Sequence, residues 1–192
     1  EGVKITTISY EPARIRVETE HTSGEVCVSI CDEAGAIVAQ GQGENVELDI
    51  PEAKLWCDST PYLYTCKASL YENEVLVDES FATFGVRHVE WSPKGLFING
   101  KEVWLRGGCI HHDNGILGAA TFMESEMRRI KILKSAGYNA IRSSHNPASK
   151  AMLAACDQLG MYVMDETWDM WYKHKTEHDY AKDFLNMYQT DI

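Results

Sequence analysis

Residues 137–147, Gly-Tyr-Asn-Ala-Ile-Arg-Ser-Ser-His-Asn-Pro, pack a helix stop, a strand and a helix start into one short stretch. Gly137 closes an amphipathic run that carries Met123, Met127, Ile130 and Leu133 on one face, and a glycine just past such a run commonly ends a helix. Asn139 to Arg142 then forms a short buried strand, and Asn146-Pro147 supplies a cap and first turn for the next helix. This is one turn of a parallel α/β sheet, with Arg142 and His145 delivered where the strand stops. In a parallel barrel the active site lies at that end of the strands.

The same grammar recurs on both sides. Trp104 to Ile110 predicts a strand ending in His111-His112-Asp113, and Thr121-Phe122-Met123-Glu124 is a capping box that opens the first helix. The second helix buries Met152, Leu153, Cys156 and Leu159 and stops at Gly160. Met161 to Met164 predicts a third strand, followed by Asp165-Glu166-Thr167-Trp168-Asp169-Met170-Trp171, and Asp179 to Tyr188 belongs to a third helix. At most three βα units fit, whereas a closed barrel needs eight.

Residues 1–88 have no helical period. Short alternating runs at Ile15 to Glu18, Val26 to Cys31, Ile37 to Ala39, Val46 to Ile50, Leu63 to Tyr71 and Val75 to Val77 are divided by turn signals such as Asp32-Glu33-Ala34-Gly35. Val26, Val28 and Ile30 face one way and Cys27, Ser29 and Cys31 the other, as in a half-buried antiparallel strand. Spacing of this kind predicts a seven-stranded immunoglobulin-like sandwich, with Trp56 in the long connection plugging one end. Gly95 to Ile98, Asn99-Gly100 and Lys101 to Leu105 then spell a tight hairpin. The expected architecture is multidomain, β then α/β: a sandwich over 1–88, and the first three βα units of a truncated (βα)8 barrel over 89–192.

Charge narrows the partners. Residues 1–88 hold 6 Lys and Arg against 16 Asp and Glu, and 89–192 hold 12 against 13, so the acidity sits in the sandwich. That argues against nucleic acid or an anionic membrane. No apolar run approaches the roughly 18 residues of a membrane span. The chain has no initiator Met and no signal peptide, so it is expected to be processed or cut from a longer protein. Its six cysteines show no CxxC spacing. Cys27 and Cys31 share a strand face about 13 Å apart and cannot bridge, so reduced thiols are expected.

Three strand ends therefore converge: His111/His112/Asp113, Arg142/His145 and Asp165/Glu166/Trp168. A polar and aromatic cluster at such a place is hard to attribute to packing alone. Adjacent His111 and His112 point to opposite faces of a strand, which disfavours a shared metal ion. Arg142 needs a charge or hydroxyl partner, with Asp165 or Glu166 the nearest in pattern. Trp168 and Trp171 suit either sugar stacking or plain packing. Asp165 and Glu166 diverge on a strand, so they do not make the carboxylate pair that glycoside hydrolysis requires.

In order along the chain, Leu55-Trp56-Cys57 to Thr60-Pro61-Tyr62-Leu63-Tyr64, Phe84-Gly85-Val86-Arg87, Phe97-Ile98-Asn99-Gly100-Lys101 with Leu105-Arg106-Gly107-Gly108, Ala140 to Pro147 and Cys156-Asp157 to Glu166 resemble signatures of glycoside hydrolase family 2, the β-galactosidase and β-glucuronidase group. The resemblance covers about residues 50–170. It implies an immunoglobulin-like domain before a (βα)8 barrel, and retaining hydrolysis of a terminal β-linked sugar by two glutamates, β-galactoside first, glucuronide or mannoside next. The acid/base glutamate of the family follows strand four and the nucleophile comes later, both expected beyond Ile192. An amino-terminal jelly roll and the rest of the barrel are likewise expected outside this chain, and the fragment alone is expected to be inert.

What the resemblance carries over is sugar-subsite lining: Arg142, His145, His111, His112, Asp113, Glu166 and Trp168. Some members hold magnesium through a Glu and a His in the loop after strand three, and those positions are Met170 and Tyr172 here, so no cofactor or metal is expected. The other class weighed is a non-catalytic carbohydrate-binding or interaction module built on the sandwich, and a third is a metal-dependent hydrolase. An open parallel edge and uncovered barrel-interior residues predict self-association into a homo-oligomer. The expected setting is soluble, in a bacterial cytoplasm or periplasm, with carbohydrate as substrate.

Overall fold

The computed structural model of the chain describes residues 2–191. Its backbone divides into two compact units, one up to Trp104 and one from Leu105 onward.

The first unit begins with seven strands: β1 (Val3–Tyr10), β2 (Ala13–Thr19), β3 (Glu25–Cys31), β4 (Ile37–Gln42), β5 (Asn45–Asp49), β6 (Tyr64–Glu72) and β7 (Val75–Phe84). They form an antiparallel sandwich of sheets β1-β2-β5 and β4-β3-β6-β7. Inward positions at every second residue make the core: Ile15, Val17 and Leu48 from one sheet meet Val26, Val28, Ile30, Cys66 and Ala68 from the other. Each fully buried aliphatic side chain contributes about 1.5–3 kcal/mol. Strand β1 has no counterpart in the sequence reading, because a bulge between Thr7 and Ser9 breaks its alternation. Strand β7 is longer than Val75 to Val77 because its later half carries Phe81 outward, opposite Lys67.

Trp56 is buried, with its amide donating to the Val86 carbonyl at 2.9 Å. It packs so closely on the exit of β7 that a Cβ on Gly85 would lie 2.5 Å from its own Cβ. The Arg87 guanidinium lies 5.0 Å over the indole. Beyond this plug, β8 (Val89–Ser92), β9 (Gly95–Ile98) and β10 (Lys101–Glu102) form an antiparallel meander. Asn99 (φ 51°) and Gly100 (φ 74°) make the expected turn. The Asn99 side chain donates to the Trp56 carbonyl at 3.0 Å and accepts from the His88 amide at 2.8 Å.

The second unit is a parallel sheet, β11 (Gly107–Ile110), β12 (Ala140–Ser143) and β13 (Tyr162–Met164), with α1 (Met123–Ser135), α2 (Lys150–Leu159) and α3 (Phe184–Asp191). Ile110, Ile141 and Val163 join Ile130, Met152, Ala155 and Cys156 in one apolar cluster on the helix side. The opposite face carries a row in register, Cys109, Arg142 and Met164.

Several element starts in the second unit differ from the sequence reading. Strand β11 begins at Gly107 rather than Trp104, because the polar groups of Arg106 turn to Asn139: its amide donates to Oδ1 at 2.7 Å and its carbonyl accepts the Asn139 amide at 2.9 Å. Helix α1 starts after Phe122, not Thr121, with the Ser125 hydroxyl accepting the Phe122 amide at 3.3 Å. Helix α2 is capped by Ser149, whose hydroxyl accepts the Met152 amide at 3.1 Å, so Asn146-Pro147 precedes it as a loop. Its buried stripe is Met152, Ala155 and Cys156, with Leu153 turned outward. Helix α3 starts at Phe184 because Asp179 accepts the amides of Lys175, Thr176 and Ala181 and folds that segment as a loop. Among the described residues no helix is long and apolar enough to cross a membrane.

Candidate active-site wall

Parallel pairing brings three chain segments out at one end of the second sheet, and their side chains meet. Arg142 lies on the face away from the helices. Its Nη1 donates to Cys109 Sγ at 3.2 Å and to Ser144 Oγ at 3.4 Å, while its Nη2 forms an ion pair with Glu166 Oε1. The second oxygen of Glu166 lies 3.2 Å from His145 Nδ1. That nitrogen is also 3.9 Å from Asp169 Oδ1, and the His145 ring meets His111 edge-on at 5.6 Å between centroids. The Ser144–His145 peptide is cis.

The charges are mutually held. The hydrogen bond to Cys109, together with Glu166, raises the Arg142 guanidinium above its usual value against the cost of desolvation. In return, hydrogen bonds from Arg142 and then Ser144 hold the Cys109 thiol below the ordinary cysteine range. Asp169 accepts Lys175 Nζ at 2.6 Å, which keeps its carboxyl below the usual aspartate range. A carboxylate fixed in this way stays ionised near neutrality and is a poor general acid.

Of the residues singled out by sequence, Arg142, His145, Glu166 and His111 come together. His112 turns away, with Nε2 3.0 Å from the Pro147 carbonyl oxygen, to which the imidazole N–H donates. Asp113 folds onto its own turn, Oδ1 accepting the Gly115 amide at 2.9 Å. Asp165 diverges from Glu166 and accepts the Ala148 amide at 2.8 Å. Trp168 is half-buried and meets Phe184 edge-on at 5.3 Å, and Trp171 stacks on the same ring at 6.0 Å. Cys109, Ser144 and Asp169 belong to the cluster without having been singled out. Cys109 has the strand parity of His111, and Asp169 lies three residues after Glu166, but only the pairing register places either beside its partner.

At the two loop positions for which the family resemblance implies a magnesium site, Met170 is buried and Tyr172 is exposed. A thioether and a neutral phenol do not suit a hard cation that takes carboxylate and water oxygens, so these residues do not fit that ion. Among the described residues no group of three or more His, Cys, Asp or Glu side chains is arranged to hold a metal.

Comparison with known proteins identifies the family of the chain. A family model described as the TIM barrel domain of glycosyl hydrolases family 2 matches residues 89–189, and one described as glycosyl hydrolases family 2 matches 3–87. The chain is 38% identical over 179 residues to the β-galactosidase BoGH2A of Bacteroides ovatus, covering 87% of this chain and 21% of that protein. It is 37% identical over 150 residues to a putative β-glucuronidase of Formosa agariphila, covering 77% of this chain and 14% of that protein. The crystal structure of a glycosyl hydrolase family 2 member from Bacteroides cellulosilyticus superposes with a TM-score of 0.86 at 37% identity, over 99% of this chain and 27% of that one. The chain thus spans about a fifth of the length of the first of these curated relatives.

Proposed function

Because this chain belongs to glycoside hydrolase family 2, we propose that it forms part of a retaining hydrolase of terminal β-linked sugars, a β-galactosidase in substrate, and that the Arg142–Glu166–His145 cluster is a wall of its sugar subsite. The observation that carries this is the continuous contact from Cys109 through Arg142 and Glu166 to His145, at the carboxyl end of three parallel strands. It presents hydroxyl-seeking donors and acceptors on a rigid sheet, which suits positioning of a sugar ring.

A neutral sugar is favoured over a uronic acid. The two cations near His145 are already matched, Arg142 by Glu166 and Lys175 by Asp169. The wall thus brings no unmatched positive charge to a substrate carboxylate. The relatives themselves divide between β-galactosidase and β-glucuronidase names, so this electrostatic difference carries the choice. His112, Asp113 and Trp168 would act from the rim, holding the loops rather than the ring.

Retention requires two carboxylates about 5–5.5 Å apart, one of them protonated at the start. Asp169 is held ionised by Lys175 and does not fit the role of acid, and both oxygens of Glu166 are already engaged, by Arg142 and His145. The catalytic pair therefore comes from elsewhere in the parent enzyme, and the 192-residue chain alone does not turn over. The parent's domain seam falls at residue 88, where the matched segments 3–87 and 89–189 meet, whereas the compact units of this chain divide after Trp104. Strands β11 and β13 lie at the sheet's two edges, with Cys109 and Met164 exposed on its open face. Uncovered edges of that kind recruit further strands, so the isolated chain self-associates.

The test is hydrolysis of chromogenic β-galactoside and β-glucuronide by the parent enzyme, with and without Arg142→Lys and His145→Ala. Preferential β-galactoside cleavage that falls in both variants supports the assignment, and preference for glucuronide overturns the substrate.

A further inference from the structure

We propose that Arg129 is a positioning residue: a single guanidinium on α1 holds the loop after β11 and so sets His111 against His145. Only its consequence for sugar binding rests on the function proposed above. The clamp itself is geometric. Nη1 of Arg129 lies 3.5 Å from the His111 carbonyl oxygen, and Nη2 donates to the Asp113 carbonyl and, at 2.5 Å, to Asn114 Oδ1. These acceptors come from neighbouring loop residues and are met by one planar fork, a geometry that lysine does not reproduce.

The other half of the clamp is Glu126, one turn earlier on the same helix. It is fully buried, with Oε1 accepting Asn114 Nδ2 at 2.7 Å and Oε2 3.7 Å from Arg129 Nη1. The Asn114 amide is thereby held at both ends, its oxygen by Arg129 and its nitrogen by Glu126. A buried carboxylate is costly unless paired, and an apolar residue of similar size would fill the helix face without that cost. The ion pair instead fixes the orientation of a loop. His111 leaves this loop toward His145, and His112 leaves it toward Pro147. The cavity lined by His111, His112, Asn114, Glu126 and Arg129 measures about 10 Å³. That is about one water's worth of space, so the gap enclosed by these side chains has no room for a sugar ring.

The experiment follows the imidazole resonances of His111 and His145 by NMR in the 192-residue chain. Arg129→Lys keeps a charge beside Glu126 but loses the fork, Asn114→Ala removes the loop-side partner, and Arg128→Gln on the exposed side of α1 is the control. Both clamp variants are expected to shift the His111 ring signals and weaken the His111–His145 contact. Thermal unfolding stays cooperative, and Arg128→Gln leaves both rings unmoved. Ring signals unchanged in Arg129→Lys and in Asn114→Ala would overturn the proposal. A ring shift without any change in the parent enzyme's KM for β-galactoside would support the clamp and count against the sugar-subsite reading alone.

Discussion

Cys109 Sγ lies 3.2 Å from Nη1 of Arg142, across the β11–β12 ladder, where the two residues are register partners. The guanidinium that pairs with Glu166 therefore also stabilises a thiolate on the neighbouring strand. Cys109 is held below the ordinary cysteine range by this contact, whereas burial pushes Cys66 up to about 11 and Cys156 up to about 12. The attacking species is the thiolate. Alkylation with iodoacetamide near neutral pH should therefore modify Cys109 well before Cys66 or Cys156, as read by peptide mass mapping. Arg142→Met should slow the Cys109 reaction and leave the other two unchanged.

Glu166 bridges Arg142 and His145, one oxygen to each. Replacing it with Gln removes the charge but keeps the shape, so both partners lose a charge-assisted hydrogen bond, each worth about 1.5–3 kcal/mol at most in a protected site. Glu166→Gln in the parent enzyme should lower kcat/KM for β-galactoside by about tenfold or more. An unchanged kcat/KM would remove Glu166 from the site.

Gly107 opens β11 where a Cβ would collide with the Ala140 carbonyl oxygen on β12. The obstacle is backbone, so it cannot rotate away. Gly107→Ala should push the two strands apart and cost about 1–3 kcal/mol, the usual range for overpacking. Calorimetric unfolding would show it, and the Cys109 alkylation rate should fall with the lost register.

Asp179 accepts the amides of Thr176, Ala181 and Lys175 and pairs with His174, and these bonds hold its carboxyl well below the ordinary aspartate value of 3.8. The folded value is depressed, so its contribution to stability is full above the unfolded value and is lost as pH falls toward the folded one. The difference in melting temperature between the wild type and Asp179→Asn should thus be largest near neutrality and shrink below pH 3.8. A difference that grows on acidification would contradict the assignment.

The parts legible in the sequence were those whose causes are local. Asn99-Gly100 specifies its hairpin because both residues must take positive φ, and they do. The Val26, Val28, Ile30 alternation put those three side chains in the core. Contacts set by register were not legible: Cys109 and Arg142 are 33 residues apart, and nothing local says that they are partners. Glu126 lies between Ser125 and Met127 in a helix start that looks solvent-facing, yet it is fully buried, with Oε1 hydrogen-bonded to Asn114 and Oε2 left with only the 3.7 Å ion pair to Arg129. Helix starts shifted because several nearby residues could cap, and the choice between Asn146 and Ser149 depended on which side-chain oxygen reached a free amide.

The most direct measurement is chromogenic β-galactoside hydrolysis by the complete parent enzyme, by its His145→Ala variant and by the 192-residue chain. If the sugar-subsite assignment holds, the parent is active, the variant loses most of its kcat/KM and the chain is inert. Turnover by the chain alone, or a parent whose activity is untouched by His145→Ala, would contradict it.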